Sequence, residues 1–193
     1  MKEKYFLGVA SAQEFWEKCW VFVMVTVTSV MPVIAAAEVA VPNPEGLVAE
    51  VQRDGARAVV TRLWADEALF DAILVQIESG DAAWLEVARH LRPGSDAGSS
   101  ESLNYAVALA LPRAPSRVLP MIGKGFQLAF VCTAPHTDAN LSVVMGHLRS
   151  VEKALKNFKT NKHAVVKAEC LASVRSRMKE LRSIDVPKEP QPL

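Results

Sequence analysis

Six apolar side chains near the carboxyl end of the chain recur at alternating intervals of three and four residues. This spacing places them on one face of an α-helix, because a helix turns once in about 3.6 residues whereas strand side chains alternate every two. The stripe consists of Leu141, Val144, Leu148, Val151, Leu155 and Phe158. Asn140 directly precedes it and is a favoured helix N-cap residue. The sequence therefore predicts a long amphipathic helix here.

Shorter segments with helical periodicity precede this stripe, separated by glycine, proline and aspartate. Asp66 and Asp81 are placed to cap two of them, and Ser99 or Ser100 to cap a third. Pro115 suits the first turn of a short helix. We therefore expect an all-α domain of about six or seven helices, as either a compact bundle or a short array of helix pairs.

Two segments leave their structure less defined. The first predicted helix, Pro44 to Trp64, is interrupted by Gly55, which is unfavourable inside a helix. The apolar run from Phe126 to Val131 is too short for its period to separate helix from strand. We expect a helical turn there.

The stretch from Cys19 to Ala37 contains 19 residues and no charged side chain. It ends in Ala35-Ala36-Ala37, the small-residue pattern that signal peptidase cleaves. We expect a signal peptide at 1–37, a helical domain at 38–186 and a disordered tail at 187–193, with the mature protein periplasmic or secreted. The alternative is an uncleaved membrane anchor, since 19 residues are near the length that spans a bilayer.

Between about Gly55 and Leu119, short helices alternate with turns rich in glycine, aspartate and proline. Two stretches show this most clearly, Ser79-Gly80-Asp81-Ala82-Ala83-Trp84-Leu85 and Ser95-Asp96-Ala97-Gly98-Ser99-Ser100-Glu101-Ser102-Leu103. The pattern resembles the helix pairs of HEAT-type α-solenoids and a group of uncharacterised exported helical proteins of proteobacteria. The resemblance covers about a third of the chain and implies a fold class and a compartment, not an activity.

The chain has three cysteines, and Cys19 would leave with the signal peptide. The mature protein would then keep Cys132 and Cys170. Two cysteines in an oxidising compartment predict one disulfide between them. The alternative is a pair of buried thiols that never meet.

The histidines are His90, His136, His147 and His163, and no two of them form an H-x-x-x-H pair. A zinc site needs three or four converging ligands, so we predict no metal. The stretch Gly98-Ser99-Ser100 does not match a G-x-S-x-G nucleophile elbow. We name no catalytic residue and no cofactor.

Several other residues have an ordinary structural interpretation. Gly123-Lys124-Gly125 lacks a Walker pattern, so we expect a turn there and not an anion site. Trp64 and Trp84 lie on apolar helix faces and are expected to anchor the core. Asp71 is expected to be a surface charge.

The net charge is only +1, but its distribution along the chain is uneven. From Glu38 to Glu101 there are 12 acidic and 5 basic side chains, whereas from Met145 to Arg182 there are 3 acidic and 10 basic ones. Such asymmetry marks an interaction face or is balanced within the fold. The basic segment has almost no aromatic residue beyond Phe158, which argues against a nucleic-acid partner.

These features favour an exported helical protein that binds another protein, as an inhibitor or immunity-type protein would. They favour binding over catalysis without excluding an enzyme. The alternatives are a small exported hydrolase whose site is assembled from distant residues, and a membrane-anchored form of the binding protein. Contact with a membrane is expected only if the amino-terminal segment is retained.

We predict that export removes residues 1–37, because Ala35 and Ala37 fit the shallow pockets of signal peptidase. Amino-terminal sequencing of the exported protein should begin at Glu38. A membrane-bound protein that still begins at Met1 would instead establish the anchor.

Overall fold

The computed structural model describes residues 40–134 and 140–184. These residues form nine α-helices and no β-strand, so the all-α prediction is confirmed. The helices are α1 (Pro44–Asp54), α2 (Ala56–Ala65), α3 (Glu67–Glu78), α4 (Ala82–Leu91), α5 (Ala97–Ala110), α6 (Pro115–Val118), α7 (Leu128–Thr133), α8 (Leu141–Asn157) and α9 (Ala164–Ile184). The predicted signal peptide and carboxyl-terminal tail lie outside the described residues.

The described part of the chain has more helices than the six or seven expected, for two reasons. The first predicted helix divides at Gly55, whose φ of 86° lies in the left-handed region that glycine adopts without a steric penalty. The ambiguous run from Phe126 onward also contains a separate helix, α7.

The predicted N-caps of three helices are confirmed. Asp66 accepts a hydrogen bond from the Leu69 amide at 3.1 Å at the start of α3. Asp81 caps α4 in the same way, and Asn140 caps α8. These side chains satisfy amides that have no partner within the first helical turn.

The predicted cap of α5 is wrong. Asp96 caps this helix, not Ser99 or Ser100, and it accepts a hydrogen bond from the Ser99 amide at 3.3 Å. The Ser99 hydroxyl in turn accepts from the Asp96 amide at 3.0 Å, which completes a reciprocal capping box. Hydrogen bonds from the Ser99 hydroxyl and amide hold the pKa of Asp96 below its usual value. Helix α5 therefore begins at Ala97, before both predicted caps, because the side chain and the amide of Asp96 each form a hydrogen bond with Ser99 in the first turn.

The amino-terminal helices surround an apolar core. Helix α1 packs on α4, and α3 packs on α5. Leu63 of α2, Ile73 of α3 and Leu103 of α5 are completely buried in this core. At the surface, the Arg62 guanidinium of α2 binds the Glu50 carboxylate of α1 through two hydrogen bonds of 2.9 and 2.8 Å.

Helices α8 and α9 form a hairpin joined by residues 158–163. The predicted stripe of α8 faces α9, with Leu148, Val151 and Leu155 completely buried. The hairpin contacts the rest of the domain mainly where α9 packs on α7, and α7 in turn packs on α5. None of the helices within residues 40–134 and 140–184 combines the length and hydrophobicity needed to cross a bilayer.

Gly94 lies in a short 3₁₀ turn that packs directly against the backbone at the start of α2. A Cβ atom at this position would lie 2.2 Å from the Ala56 carbonyl carbon and 2.4 Å from the Arg57 nitrogen. Backbone atoms cannot move aside as a flexible side chain can. Gly94 therefore allows the turn and the helix to meet.

We predict that Gly94→Ala destabilises the domain by about 1–3 kcal/mol or more, the cost of overpacking a close contact. The matched control is Gly146→Ala, since Gly146 is exposed within α8 and its Cβ would meet no atom within 4 Å. Alanine there should stabilise the protein by about 0.5–1 kcal/mol through better helix propensity. Urea unfolding followed by circular dichroism measures both. Equal midpoints for Gly94→Ala and the wild type would contradict this role for Gly94.

Candidate interaction surfaces

The disulfide predicted from the cysteine count is present in the structure. Cys132 in α7 and Cys170 in α9 are bonded, with Cα atoms 5.4 Å apart, inside the usual range of roughly 4.4–6.8 Å. Both residues are completely buried. Because α7 belongs to the body of the domain and α9 to the hairpin, the bond ties the two together.

Four lysines and one valine cluster where the two helices of the hairpin are joined. Lys153 and Lys156 lie near the end of α8, Lys159 and Lys162 lie in the connection, and Val165 lies in the first turn of α9. All five side chains are exposed, and Val165 is 71% exposed. We refer to these five residues as the basic end of the hairpin.

Most of the positive charge at the basic end has no acidic partner within the described residues. Lys156 pairs with Glu152 at 2.8 Å, and Arg175 of α9 binds the same carboxylate at 2.9 Å. Hydrogen bonds from Lys156 and then Arg175 hold the pKa of Glu152 below its usual value. The other three lysines, Lys153, Lys159 and Lys162, make no ion pair in the part of the chain that the structure describes.

The histidines that the structure describes are dispersed, and His136 lies outside the described residues. His90 lies 3.0 Å from the Glu86 carboxylate, which also binds Arg89. The hydrogen bond from Arg89 is the main cause of the lowered pKa of Glu86. His147 lies within α8, and His163 lies directly before α9, where its amide donates to the Thr160 hydroxyl. Within residues 40–134 and 140–184, no group of three His, Cys, Asp or Glu side chains could hold a metal ion.

Gly123-Lys124-Gly125 forms a turn, as expected. The Gly123 amide donates to the Phe126 carbonyl at 2.9 Å and the Lys124 amide to the Met121 carbonyl at 3.0 Å. The Gly125 carbonyl accepts from Arg92 at 2.7 Å. The amides of Gly123 and Lys124 thus serve the turn and do not point towards an anion.

Arg92 joins two loops that are distant in the sequence. Besides Gly125, its guanidinium donates to the hydroxyls of Ser95 and Ser100, at 2.7 and 2.5 Å. It also lies over the Phe126 ring, 5.8 Å from the centroid. The hydroxyl of Ser100, one of the two predicted caps of α5, therefore accepts a hydrogen bond from an arginine. No local sequence pattern indicates the contact with Gly125, because Arg92 and Gly125 lie 33 residues apart.

The expectation that Trp64 anchors the core is wrong, since its residue surface is 49% exposed. Trp84, in contrast, is partly buried and packs against the core. Trp64 lies in the last turn of α2. Val60 and Leu63 form the buried part of the apolar face of this helix, and Trp64 lies at its edge. Helical periodicity identified the face but not where its buried part ends.

Trp64 lines an open pocket of about 340 Å³ between α2, α3 and α5. The other lining residues are Glu67, Phe70, Asp71 and Ser102. The Phe70 ring is buried and meets the indole edge to face, with the ring centroids 5.4 Å apart. We call these five residues the aromatic–acidic pocket.

Glu67 and Asp71 are exposed and lie four residues apart on α3, which places them on the same side of the helix. Neither carboxylate makes an ion pair with a described residue. The first-turn position of Glu67 suits the helix dipole, but Asp71 lies a full turn further on. The pocket therefore presents two negative charges beside an exposed indole.

No protein-family model, curated protein or solved structure shows a significant match to this chain.

We predict that loss of the Cys132–Cys170 bond costs about 4 kcal/mol, the loop-closure value for a separation of 38 residues. Urea unfolding of the oxidised protein, the reduced protein and the Cys132→Ala/Cys170→Ala double variant measures this cost. The reduced protein and the variant should unfold at similarly lowered urea concentrations.

A thiol titration provides the independent check. The chain contains three cysteines, so the unreduced full-length protein should show one reactive thiol after denaturation, that of Cys19. Three reactive thiols, or an unfolding midpoint that does not change on reduction, would show that the bond does not form.

Proposed function

We propose that this chain is an exported helical protein that binds an acidic protein partner through the basic end of the hairpin. The uncompensated charge of Lys153, Lys159 and Lys162 carries the proposal. Three like charges at one end of a two-helix element repel each other, and an acidic partner would relieve that repulsion. Charge of this kind raises the association rate and selects partners by sign.

The chemistry of the basic end favours a protein over a simple polyanion. Val165 adds exposed apolar surface among the lysines, and protein interfaces combine apolar contacts with a polar rim. The side chain of Lys167 is already used, since it donates to the Phe158 carbonyl at 2.6 Å and closes the connection. This contact supports a connection of defined shape, which lowers the entropy lost on binding.

Export is the second part of the proposal. The uncharged stretch from Cys19 to Ala37 and its small-residue end support a signal peptide. The Cys132–Cys170 bond also supports export, because disulfides form and persist in oxidising compartments. We therefore propose a periplasmic or secreted protein.

For the architecture, we propose a compact bundle instead of a HEAT-like array. Arrays stack consecutive helix pairs on their neighbours, so that each repeat contacts the next one. Here α1 packs most extensively on α4, and α9 packs on α7 as well as α8. These contacts skip intervening helices, as expected in a bundle.

The test is affinity capture from the cell envelope with a variant that lacks the uncompensated lysines, Lys153→Gln/Lys159→Gln/Lys162→Gln. The matched control, Arg149→Gln/Lys179→Gln/Arg182→Gln, removes the same charge from exposed positions of the same hairpin outside its basic end. The wild type and the control should retain the same partner, and the basic-end variant should lose it. Salt at roughly 0.5 M should also release the partner, because it shortens the screening length.

Two outcomes would contradict the proposal. If both triple variants lose the partner equally, total charge and not the basic end is responsible. If the purified protein sediments with anionic lipid vesicles, loses this binding in the basic-end variant and captures no protein, the surface binds a membrane instead.

A further inference from the structure

The indole of Trp64 is held in place although its surface is half exposed. On one side it meets the buried Phe70 ring edge to face. On another it lies so close to Gly98 of α5 that a Cβ there would approach two atoms of the six-membered ring to 3.2 Å. Any side chain at position 98 would crowd the ring, so Gly98 allows the indole to lie directly against α5. The exposed surface of the ring is therefore presented in a fixed orientation.

Two carboxylates border this fixed ring. Glu67 and Asp71 line the same pocket as the indole and make no ion pair with the described residues. Like charges four residues apart on a helix repel each other, which favours a cation between them. An aromatic face attracts a cation through its π-electrons, and a carboxylate attracts it through charge and hydrogen bonds. A cation in this pocket would have both interactions.

We propose that the aromatic–acidic pocket binds an arginine side chain from a basic segment of a partner protein. The guanidinium would stack on the Trp64 indole and donate hydrogen bonds to Asp71 and Glu67. Arginine fits this combination better than lysine, because its group is planar, stacks on aromatic rings and forms paired hydrogen bonds with a carboxylate. A quaternary ammonium would stack on the ring but could donate no hydrogen bond to either acid.

This inference depends on the proposed protein-binding role in one respect, which is that a partner protein supplies the arginine. The pocket lies on α2, α3 and α5, whereas the basic end lies where α8 and α9 are joined. The two surfaces have opposite charge and share no residue. Either can therefore fail in its own test without affecting the result of the other.

The test is a titration of the full chain with N-acetyl-arginine amide, followed through the indole N–H signal of Trp64 in ¹H–¹⁵N spectra. The chain has four tryptophans, and Trp64→Phe assigns the signal. N-acetyl-citrulline amide provides the uncharged probe of the same shape, and N-acetyl-lysine amide and tetramethylammonium provide the other cations. We expect arginine to shift the Trp64 signal at millimolar concentration and citrulline to leave it unchanged.

Substitutions assign the binding to the pocket. Glu67→Gln and Asp71→Asn should each weaken arginine binding about two- to fivefold, the range for an exposed ion pair. The matched control is Glu45→Gln, since Glu45 is an exposed first-turn glutamate like Glu67 but belongs to α1. It should bind arginine as the wild type does. Unchanged signals far from the pocket would show that each variant is folded.

Three results would overturn the proposal. Equal shifts from arginine and citrulline would show that charge is not recognised. Tighter binding of lysine or tetramethylammonium would show that the pocket does not select a guanidinium. Absence of any shift of the Trp64 signal up to the solubility limit of the arginine probe would show that the pocket binds no such side chain.

Discussion

The packing of α9 on α7, fixed by the Cys132–Cys170 bond, determines where the carboxyl-terminal hairpin is held. Helix α8 rests mainly on α9, and α9 contacts the rest of the domain mainly through the six residues of α7. Val131 of α7 and Val174 of α9 are completely buried beside the bonded cysteines. The covalent bond links α9 to this short helix in addition to the packing, so it helps to hold the basic end of the hairpin on the domain.

The elements that could be predicted from the sequence are those that local chemistry determines. The stripe of α8 and the caps Asp66, Asp81 and Asn140 act within one or two helical turns, and each was identified from residues that are neighbours in the chain. The disulfide was predicted because two cysteines remain after the signal peptide and because the mature protein was expected in an oxidising compartment. These observations were enough to predict an all-α domain and its disulfide. They did not predict the number of helices, because Gly55 divides the first predicted helix and α7 is too short to show a helical period.

The candidate binding sites were harder to predict, because they depend on contacts across the fold. Trp64 continues the apolar face of α2, and only the positions of Phe70 and Gly98 decide that half of its surface stays outside the core. The spacing of four places Glu67 and Asp71 on one side of α3, but only the folded structure brings Trp64 of α2 beside them. Arg92 is similar, since the Gly125 carbonyl that it binds belongs to a loop far along the chain.

The ring closed by the disulfide contains the whole of α8 and the beginning of α9. A protease that cuts one peptide bond inside this ring produces two polypeptides that remain a single molecule until the bond is reduced. In a protein without such a bond, the two fragments left by a cut in a connection are held together by noncovalent packing alone. In this protein the nicked hairpin would stay attached, so a single cleavage would change the number of chains without releasing the lysines that the hairpin carries.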